Sequence, residues 1–166
     1  SNGNGFFNSE EELNASGLNY DFVQPRVGDL IYQDLNLDGT IDEKDKAPVG
    51  SGAVPLNYYG FSGDFKYKGF DMSVLFQGVG KWSSLYNGMG IWETSYDGIF
   101  GTLHNKAWTP ERYEAGEDIT SPALSLNESS NHQNSDYYLY DRSYLRLKNL
   151  EIGYTLSGRL TKAISA

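Results

Sequence analysis

The chain has 166 residues, enough for one domain with a core of its own. Its net charge of −9 argues against nucleic acid and anionic lipid headgroups as partners, and the absence of cysteine excludes disulfides, thiolate metal sites and cysteine nucleophiles. No apolar run reaches the roughly 18 residues of a spanning helix, so such a helix is excluded. Nineteen glycines and 14% aromatic residues favour a turn-rich, all-β chain.

The first predicted element is a short helix near the amino terminus. Ser9 is followed three residues later by Glu12, which is a capping-box pattern, and the acidic run that starts at Glu10 suits the positive end of a helix dipole. Gly17 stands where a helix would end, so the pattern predicts a helix from about Glu10 to Ala15. We interpret its acids as solvated surface residues and not as catalytic groups.

Residues 34–45 carry the most specific local motif of the chain. Oxygen-bearing residues recur at positions 1, 3, 5, 9 and 12 of this segment, with Gly39 at position 6 and Ile41 at position 8. This spacing is typical of a calcium-binding loop of the EF-hand type, in which one loop wraps about six or seven oxygens around a hard cation. The candidate ligands are the backbone carbonyl of Thr40, at position 7, and the side chains of five other residues: Asp34, Asn36, Asp38, Asp42 and Asp45.

The surroundings of this loop differ from those of a helix–loop–helix switch. Position 12 is Asp45, which is shorter than the usual glutamate, so we expect weaker ion binding than in a calcium sensor. Leu30-Ile31-Tyr32 predicts a short strand before the loop, and Pro48-Val49-Gly50 predicts a turn after it. The sequence therefore predicts a structural Ca²⁺ site that stiffens a loop. The alternative is an acidic, solvated turn without an ion.

Residues 57–79 predict a long β-hairpin. Side chains of a strand point alternately to its two faces, and both halves of this segment alternate between apolar and polar or small residues. A Lys68-Gly69 turn joins the halves. The polar face collects Tyr58, Asp64, Lys66, Asp71, Ser73 and Gln77. The apolar face collects Tyr59, Phe61, Phe65, Tyr67, Phe70, Met72, Val74 and Phe76.

Two environments suit such a hairpin. In a soluble sandwich the apolar face packs on a second sheet, whereas in an outer-membrane barrel it meets lipid while the polar face lines the lumen. Runs of about ten residues match the roughly 9 to 11 that cross a membrane better than the 5 or 6 of soluble strands. Aromatic residues near both ends resemble the interfacial girdles of barrels. Alternation alone leaves both environments open.

Periodicity is lost between Lys81 and Asp141. A connection of about 60 residues is far longer than the usual 4 to 6, and its many aromatic residues predict an ordered, functional loop with short helical turns, for example near 98–108. The candidate ligand-binding residues of this loop are Trp82, Trp92 and Trp108. The alternative is that these rings form the small core of the loop itself.

A third strand is predicted within residues 144–156. Leu150, Ile152, Tyr154 and Leu156 share an apolar face, and the residues between them, with Glu151 among them, form a polar face. The hairpin thus has a short turn at one end and a very long connection at the other. Outer-membrane barrels show the same asymmetry, because their periplasmic turns are short and their external loops are long.

Four segments carry a resemblance to a known family. They are GDLIYQD at 28–34 leading into the calcium-type loop, YKGFD at 67–71 followed by LFQG at 75–78, WTP at 108–110, and SYLRLKNLEIGYTL at 143–156. In this order they resemble signatures of the SusC-like (SusC/RagA) TonB-dependent outer-membrane receptors of Bacteroidetes. The last segment is the most specific. Ser157 stands where the family usually has proline, which affects only that turn.

The resemblance implies a late section of a transmembrane β-barrel of about 22 strands with long extracellular loops and only short helical turns. Residues 1–56 and 80–142 would be extracellular, 57–79 a transmembrane hairpin and 143–157 a transmembrane strand. The implied protein is not an enzyme: it imports glycans or peptides through the outer membrane of a Gram-negative bacterium, together with a SusD-like surface lipoprotein. Its TonB complex would contact a plug region that this section lacks, and its strands would contact outer-membrane lipid.

A soluble calcium-dependent carbohydrate-binding β-module is the leading alternative. It would use the same ion loop and aromatic residues, but it would bury both faces of the sheet. Phe61, Phe65, Val74 and Phe76 would then lie in a sandwich core.

A glycoside hydrolase is a further alternative, because such enzymes need a pair of carboxylates. Nothing around the available pairs supports catalysis, and we interpret them as surface acids. His104 and His132 lack the spacing of metal ligands or of a catalytic triad, so no chemistry is assigned to them. The pairs are Glu111 with Glu114 and Glu117 with Asp118.

Overall fold

The computed structural model describes residues 3–88, 90–93, 101–156 and 158. Strands dominate its regular structure, as predicted for an all-β chain, and none of the helices in these residues is long and apolar enough to cross a bilayer. The helices are α1 (Glu10–Ser16) and α2 (Pro110–Glu114), with 3₁₀ turns at Glu43–Asp45, Thr102–Lys106 and Asp136–Tyr138. The strands are β1 (Asn19–Tyr20), β2 (Thr40–Ile41), β3 (Asn57–Tyr67), β4 (Phe70–Gly80), β5 (Ser83–Leu85), β6 (Leu139–Asp141) and β7 (Tyr144–Tyr154).

The chain divides into two compact units. We call Ser1–Val49 with Tyr86–Tyr138 the loop unit, and Gly50–Leu85 with Leu139–Ala166 the sheet unit. Each unit is built from two segments that are distant in sequence. The loop unit therefore draws on both of the long segments that the sequence predicts to be loops.

The sheet unit is organised by three antiparallel strands in the order β3-β4-β7. Each of these strands has 11 residues. Lys68 and Gly69 join β3 to β4 with φ angles of 47° and 88°, the left-handed pair that a two-residue hairpin turn requires. The predicted hairpin and the predicted third strand are confirmed.

A β-bulge in β7 brings the leucine and isoleucine side chains of this strand onto one face of the sheet. Leu75 pairs with Asn149, whereas the next residue of β4, Phe76, pairs with Leu147, so Lys148 is an extra residue. The bulge moves Leu145 and Leu147 to the face occupied by Leu150 and Ile152, although the two pairs are out of phase in sequence. The apolar face of β7 therefore runs along the whole strand.

The apolar face of this sheet is open to solvent. Every residue of β3 is exposed, including Phe61 at 57% and Phe65 at 52%, and Ile152 on β7 is 63% exposed. Val74 and Phe76 are half-buried. The sandwich core that a soluble carbohydrate-binding module would form from Phe61, Phe65, Val74 and Phe76 is not present in the described residues, and that expectation is wrong.

The long segment after β4 contains elements that the sequence did not predict. β5 pairs with β6 in an antiparallel ladder directly beyond the end of β4. Thr109 caps α2 by accepting a hydrogen bond from Arg112 N at 3.3 Å, and Pro110 occupies the first helical turn, where its missing N–H costs nothing. The 3₁₀ turn at Thr102–Lys106 confirms part of the helical turn predicted near 98–108; residues 98–100, like Ser157, lie outside the described residues.

Helix α1 forms where it was predicted and is one residue longer. Ser9 Oγ accepts from Glu12 N at 3.1 Å, and Gly17 ends the helix with a φ of 65°. The Glu12 carboxylate accepts from Asn8 N at 2.9 Å, and this backbone hydrogen bond holds the pKa of Glu12 below its usual value.

The strand predicted at Leu30–Tyr32 is wrong. Leu30 forms a single antiparallel bridge with Phe6, Ile31 N donates to Gly5 O at 2.9 Å, and side chains take the N–H groups on either side of it. Leu30 N donates to Asn131 Oδ1 at 2.8 Å, and Tyr32 N donates to Tyr20 Oη at 3.1 Å. Burial raises the pKa of Tyr20 to about 12, so its hydroxyl stays protonated. A ladder cannot extend where side chains occupy its donors.

Hydrophobic packing in the loop unit falls into two clusters. One is built on Phe6, Leu30, Trp108 and Tyr138, and the other on Phe7, Tyr20 and Ile41. Phe6 and Phe7 are adjacent in sequence but enter different clusters, since successive side chains of an extended segment point to opposite sides. This short segment therefore links both cores of the unit.

Candidate functional sites

The calcium-type loop closes on itself and is anchored in the core of the loop unit. Strand β2 pairs in parallel with β1, and Ile41, position 8 of the loop, is 4% exposed and packs in the cluster of Phe7 and Tyr20. Gly39 at position 6 has a φ of 81°, which only glycine adopts at no cost. Gly39 thus forms the sharp turn of the loop, and Ile41 attaches the loop to the core.

The acidic side chains of the loop are directed at its own backbone. Asp34 accepts from Leu37 N at 2.6 Å and from Gly39 N at 2.8 Å. Asp45 accepts from Leu35 N at 2.8 Å and from Asp42 N at 2.9 Å. The bond from Asp42 N is the main cause that lowers the pKa of Asp45, and the bond from Thr40 N lowers that of Asp38 in the same way. Backbone N–H groups of the loop thus hold these aspartate carboxylates in place.

A lysine ammonium lies among these carboxylates. Lys44 Nζ is 3.2 Å from Asp42 Oδ2 and 3.6 Å from Asp38 Oδ2, and its pKa is raised chiefly by its hydrogen bond with Asp42. In the described residues, no three acidic or histidine side chains are arranged as a preformed metal centre. The donor set is all oxygen, which fits a hard cation such as Ca²⁺, but an entering ion would compete with Lys44.

The three predicted ligand-binding tryptophans have different surroundings. Trp108 is 7% exposed, and its Nε1 donates to Asn8 Oδ1 at 3.2 Å. Trp92 is half-buried and stacks on His132 with ring centroids 5.6 Å apart. Both rings pack in the core of the loop unit, which favours the packing alternative for them. Trp82 belongs to the sheet unit, where its Nε1 donates to Ala53 O at 3.0 Å.

A tyrosine that was not among the predicted ligand-binding residues lies beside Trp108. Tyr113 stacks on Trp108 with ring centroids 6.3 Å apart and lines an open groove of about 640 Å³. The groove combines this ring with polar side chains of α1 and of the two residues before it. Its polar lining residues are Asn8, Ser9, Glu11, Glu12 and Ser16.

A buried carboxylate organises the loop unit. The side chain of Asp29 is fully buried and accepts from Arg26, both at its backbone N (2.9 Å) and at its guanidinium (3.2 Å). Ser130 Oγ and Asn131 Nδ2 also donate to it, at 3.1 and 2.8 Å. The signal for this node in the sequence is weak, because Ser130 and Asn131 lie in a Ser/Asn-rich stretch that is typical of an ordinary loop.

A second buried carboxylate pairs with one of the histidines. Glu93 Oε2 lies 3.1 Å from His132 Nε2, and Glu93 Oε1 accepts from Ser125 N at 2.7 Å. Burial alone would raise the pKa of Glu93, but these partners outweigh it and the pKa is lowered. His104 instead accepts from Gly101 N at 2.9 Å and caps a 3₁₀ turn. The contacts of both histidines thus belong to the packing and capping of the fold.

The acids proposed for a hydrolase lie on the surface of the loop unit. Asp118 pairs with Lys106 at 2.6 Å, and Glu117 lies 3.6 Å from Arg112. Glu111 and Glu114, like those two acids, are exposed. This placement agrees with their interpretation as solvated surface acids.

The polar face of the sheet carries charges in register. Lys66 pairs with Asp71, and in the next row Asp64, Ser73 and Glu151 lie side by side. Further along, Arg146 donates to Gln77 Oε1 at 3.3 Å. The two faces of the sheet thus differ in chemical character, one polar and charged and the other apolar.

Aromatic rings mark both ends of the apolar face. At the turn, Tyr67, Phe70 and Tyr154 are registered neighbours. At the other end, the Tyr59 ring lies over Gly78, and its hydroxyl donates to a carbonyl of β7 at 3.4 Å. Phenylalanine and aliphatic side chains occupy the rows between these ends.

The chain is similar in sequence to a bacterial receptor. It is 32% identical over 129 residues to TonB-dependent receptor P3 of Formosa agariphila. The match includes 78% of this chain but only 12% of the receptor, so the chain spans about an eighth of the length of that relative. No family model matches the chain. The similarity supports the TonB-dependent receptor family.

Proposed function

We propose that this chain is a section of the transmembrane barrel of an outer-membrane TonB-dependent transporter. Strands β3, β4 and β7 would cross the membrane with their apolar face toward lipid and their polar face toward the lumen. The observation that carries the proposal is the exposure of that apolar face, with Phe61 and Ile152 each more than half exposed. A face of this kind needs a non-aqueous surrounding.

The dimensions of the sheet support the same proposal. Each long strand has 11 residues, the number expected of a tilted membrane-crossing strand. The turn-end aromatic row at Tyr67 and the opposite row at Tyr59 are eight residues apart along β3, or about 26 Å at roughly 3.3 Å per residue. At the roughly 35–45° tilt of barrel strands, this length spans about 20 Å of membrane thickness, which fits within the apolar band of about 25 Å.

We further propose that the parent transporter imports glycans or peptides together with a SusD-like surface lipoprotein. Support comes from the similarity to a TonB-dependent receptor and from the SusC-like sequence segments. The TonB complex would act through a plug that is not in this segment. Uptake of labelled oligosaccharides and oligopeptides by cells carrying the parent protein, with and without the lipoprotein, tests this. Unchanged uptake after deletion of the lipoprotein would contradict the partnership.

Neighbouring residues on opposite faces of β4 provide a matched test of the membrane section. The chain has no cysteine, so Met72→Cys and Ser73→Cys each introduce a single thiol. In lipid vesicles, a water-soluble maleimide should label Ser73→Cys and spare Met72→Cys, whose thiol should react only after the vesicles are dissolved and the protein is unfolded. Equal labelling of both thiols by the water-soluble reagent would contradict the proposal.

We also propose that residues 34–45 bind Ca²⁺ as a structural ion. The ligands would be the predicted set, with Lys44 displaced from Asp38 and Asp42. Calorimetry should detect Ca²⁺ binding, and Lys44→Gln should tighten it because the competing ammonium is removed. Lys46→Gln is the control, since Lys46 pairs with Glu43 outside the ligand set. No heat of binding with millimolar Ca²⁺ in either variant would exclude the site.

We propose that external ligands meet aromatic rings in the exposed loops, with Trp82 and Tyr113 as the accessible candidates. Trp108 would support the ring of Tyr113, and Trp92 would pack in the core of the loop unit. Oligosaccharide titration of Tyr113→Ala and Trp82→Ala tests the assignment, with Tyr86→Ala, an exposed ring elsewhere in the loop unit, as the control. Unaltered affinity in both test variants would remove ligand binding from these rings.

A further inference from the structure

The calcium-type loop carries a leucine that packing within the chain does not explain. Leu37 is 85% exposed, the largest value among the exposed large hydrophobic side chains of the described residues. Ile41, an aliphatic residue of the same loop, is only 4% exposed and packs in the core of the loop unit. Ile41 therefore attaches the loop to that core, while Leu37 extends into solvent.

The backbone conformation at this position does not favour a leucine either. Leu37 has a φ of 62°, in the left-handed region that glycine, asparagine and aspartate adopt most readily. In the described part of the chain, the other non-glycine residues with a positive φ are Lys68 and Lys81, which are polar. A strained residue that persists without a packing reason indicates a function.

Hydrogen bonds within the loop hold this leucine in a fixed place. Leu37 N donates to Asp34 Oδ1 at 2.6 Å, and Gly39 N donates to Asp34 Oδ2 at 2.8 Å. Asp38 N donates to Asn36 Oδ1 at 3.0 Å, so the residues on both sides of Leu37 are also tied. An apolar side chain on such a preorganised turn loses little conformational freedom when it docks on a partner.

The charge around Leu37 limits the kind of surface that can receive it. Residues 34–45 include five acids and a single lysine, Lys44. A surface that accepts the leucine therefore needs an apolar pocket with positive charge around it, because like charges across an interface repel. The same acids oppose contact with an anionic bilayer. A basic protein surface fits these requirements better than lipid does.

We propose that Leu37 is the docking residue of the calcium-type loop for a protein partner, which presents an apolar pocket bounded by lysine or arginine. The inference rests on the proposed partnership with a surface lipoprotein, names that lipoprotein as the occupant and adds the residue that makes the contact. A few buried side chains surrounded by a polar rim carry most of the energy of a typical interface. The acids around Leu37 form that rim, and they make association sensitive to salt.

Binding of the purified lipoprotein to the parent transporter tests the proposal, in detergent and at constant calcium concentration. Leu37→Asn should weaken the affinity by about 10- to 100-fold, the loss expected when one buried leucine is removed from an interface. Leu37→Met keeps an apolar side chain of similar volume and should retain most of the affinity. Added salt should weaken binding of the original transporter.

An exposed leucine elsewhere in the loop unit provides the matched control. Leu126 is 73% exposed and lacks a positive φ, so Leu126→Asn makes the same chemical change and should leave the affinity unaltered. The thermal unfolding midpoint separates docking from a role in the fold. Leu37→Asn should leave this midpoint unchanged or raise it, since asparagine tolerates the left-handed region.

Several outcomes would overturn the docking role of Leu37. One is a loss of affinity that Leu37→Asn and Leu126→Asn share equally, or that neither shows. Another is a lower unfolding midpoint in Leu37→Asn, or an effect that appears only when a bilayer is added, since the leucine would then serve the fold or contact lipid. These results leave the proposed transporter standing. Absence of lipoprotein binding to the original transporter overturns both the docking role and the proposed partnership.

Discussion

The two units place their hydrophobic residues in opposite ways. In the described residues, eight of the nine buried hydrophobic side chains belong to the loop unit, although it has little regular structure. The sheet unit has the three longest strands, and Val79 is its one buried hydrophobic residue among those described. The irregular unit thus has an ordinary protein core, while the regular unit leaves its apolar residues uncovered.

This contrast shows what each unit requires from its surroundings. The loop unit holds buried polar groups in internal hydrogen bonds, as Asn131 and Ser130 do by donating to Asp29. The sheet unit pairs its long strands with one another and leaves the apolar side chains of that sheet largely uncovered. Four predictions follow from this difference.

The largest effect is expected from removing the buried carboxylate of the loop unit. Asp29→Ala leaves the donors of Ser130 and Asn131 without their acceptor and should lower the free energy of unfolding by about 3 to 5 kcal/mol. Urea denaturation followed by tryptophan fluorescence measures the loss. Asp21→Ala, an exposed acid of the same unit, should cost less than about 0.5 kcal/mol. Equal losses would show that the node does not organise the unit.

A lysine placed on each face of β4 in turn should show which face of the sheet tolerates a charge in a bilayer. Val74→Lys places a charge at mid-strand on the apolar face and should cost about 2 to 4 kcal/mol of folding free energy in a bilayer. Leu75→Lys, the next residue, lies on the polar face and should cost little. Refolding equilibria in lipid vesicles measure both changes. If Leu75→Lys is the costlier change, the orientation of the faces is reversed.

A glycine in the loop unit tests whether that unit has a tightly packed core. Gly28 has a φ of 92°, and a Cβ there would lie 2.5 Å from the Trp108 ring and 2.6 Å from the Ala123 methyl. Gly116 has a φ of 67° with open space around it. Gly28→Ala should therefore destabilise by about 1 to 3 kcal/mol more than Gly116→Ala, since both strain the backbone but one also overpacks. Thermal unfolding of the two variants measures the difference.

The smallest expected effect is a pH dependence confined to the loop unit. The pKa of Glu93 is lowered in the folded state, because hydrogen bonds from His132 and Ser125 outweigh burial. Its contribution to stability is therefore complete above the unfolded pKa of about 4.5 and is lost as the pH falls through the folded value. Glu93→Gln should remove this part of the acid sensitivity, measured as unfolding midpoints between neutral and acidic pH. An unchanged pH profile would contradict the pairing.

Sequence periodicity was sufficient for the elements that depend on local pattern. The hairpin at 57–79, the turn at Lys68-Gly69 and helix α1 with its Ser9 cap were all predicted, since alternation, turn chemistry and capping act over a few residues. The strand predicted at Leu30–Tyr32 failed because side chains from distant parts of the chain took its backbone donors.

The candidate sites were less accessible to prediction. The residue types at 34–45 identified a loop rich in oxygen ligands, but not the position of Lys44 among them. Trp108 stood out by its size, whereas Tyr113, which stacks on it and lines the groove, did not. Nothing in the local sequence connects Asp29 with Asn131, because their contact joins residues 102 positions apart.

The sequence alone determined which side chains share a face of each long strand, because neighbouring residues of an extended chain point in opposite directions. Only the tertiary structure decided that the bulge at Lys148 unites both halves of β7, and that the basic residues belong to the sheet unit while the acids gather in the loop unit. Register and charge grouping depend on which distant segments meet. That choice is made by pairing and packing over the whole chain and leaves no signal in any short stretch.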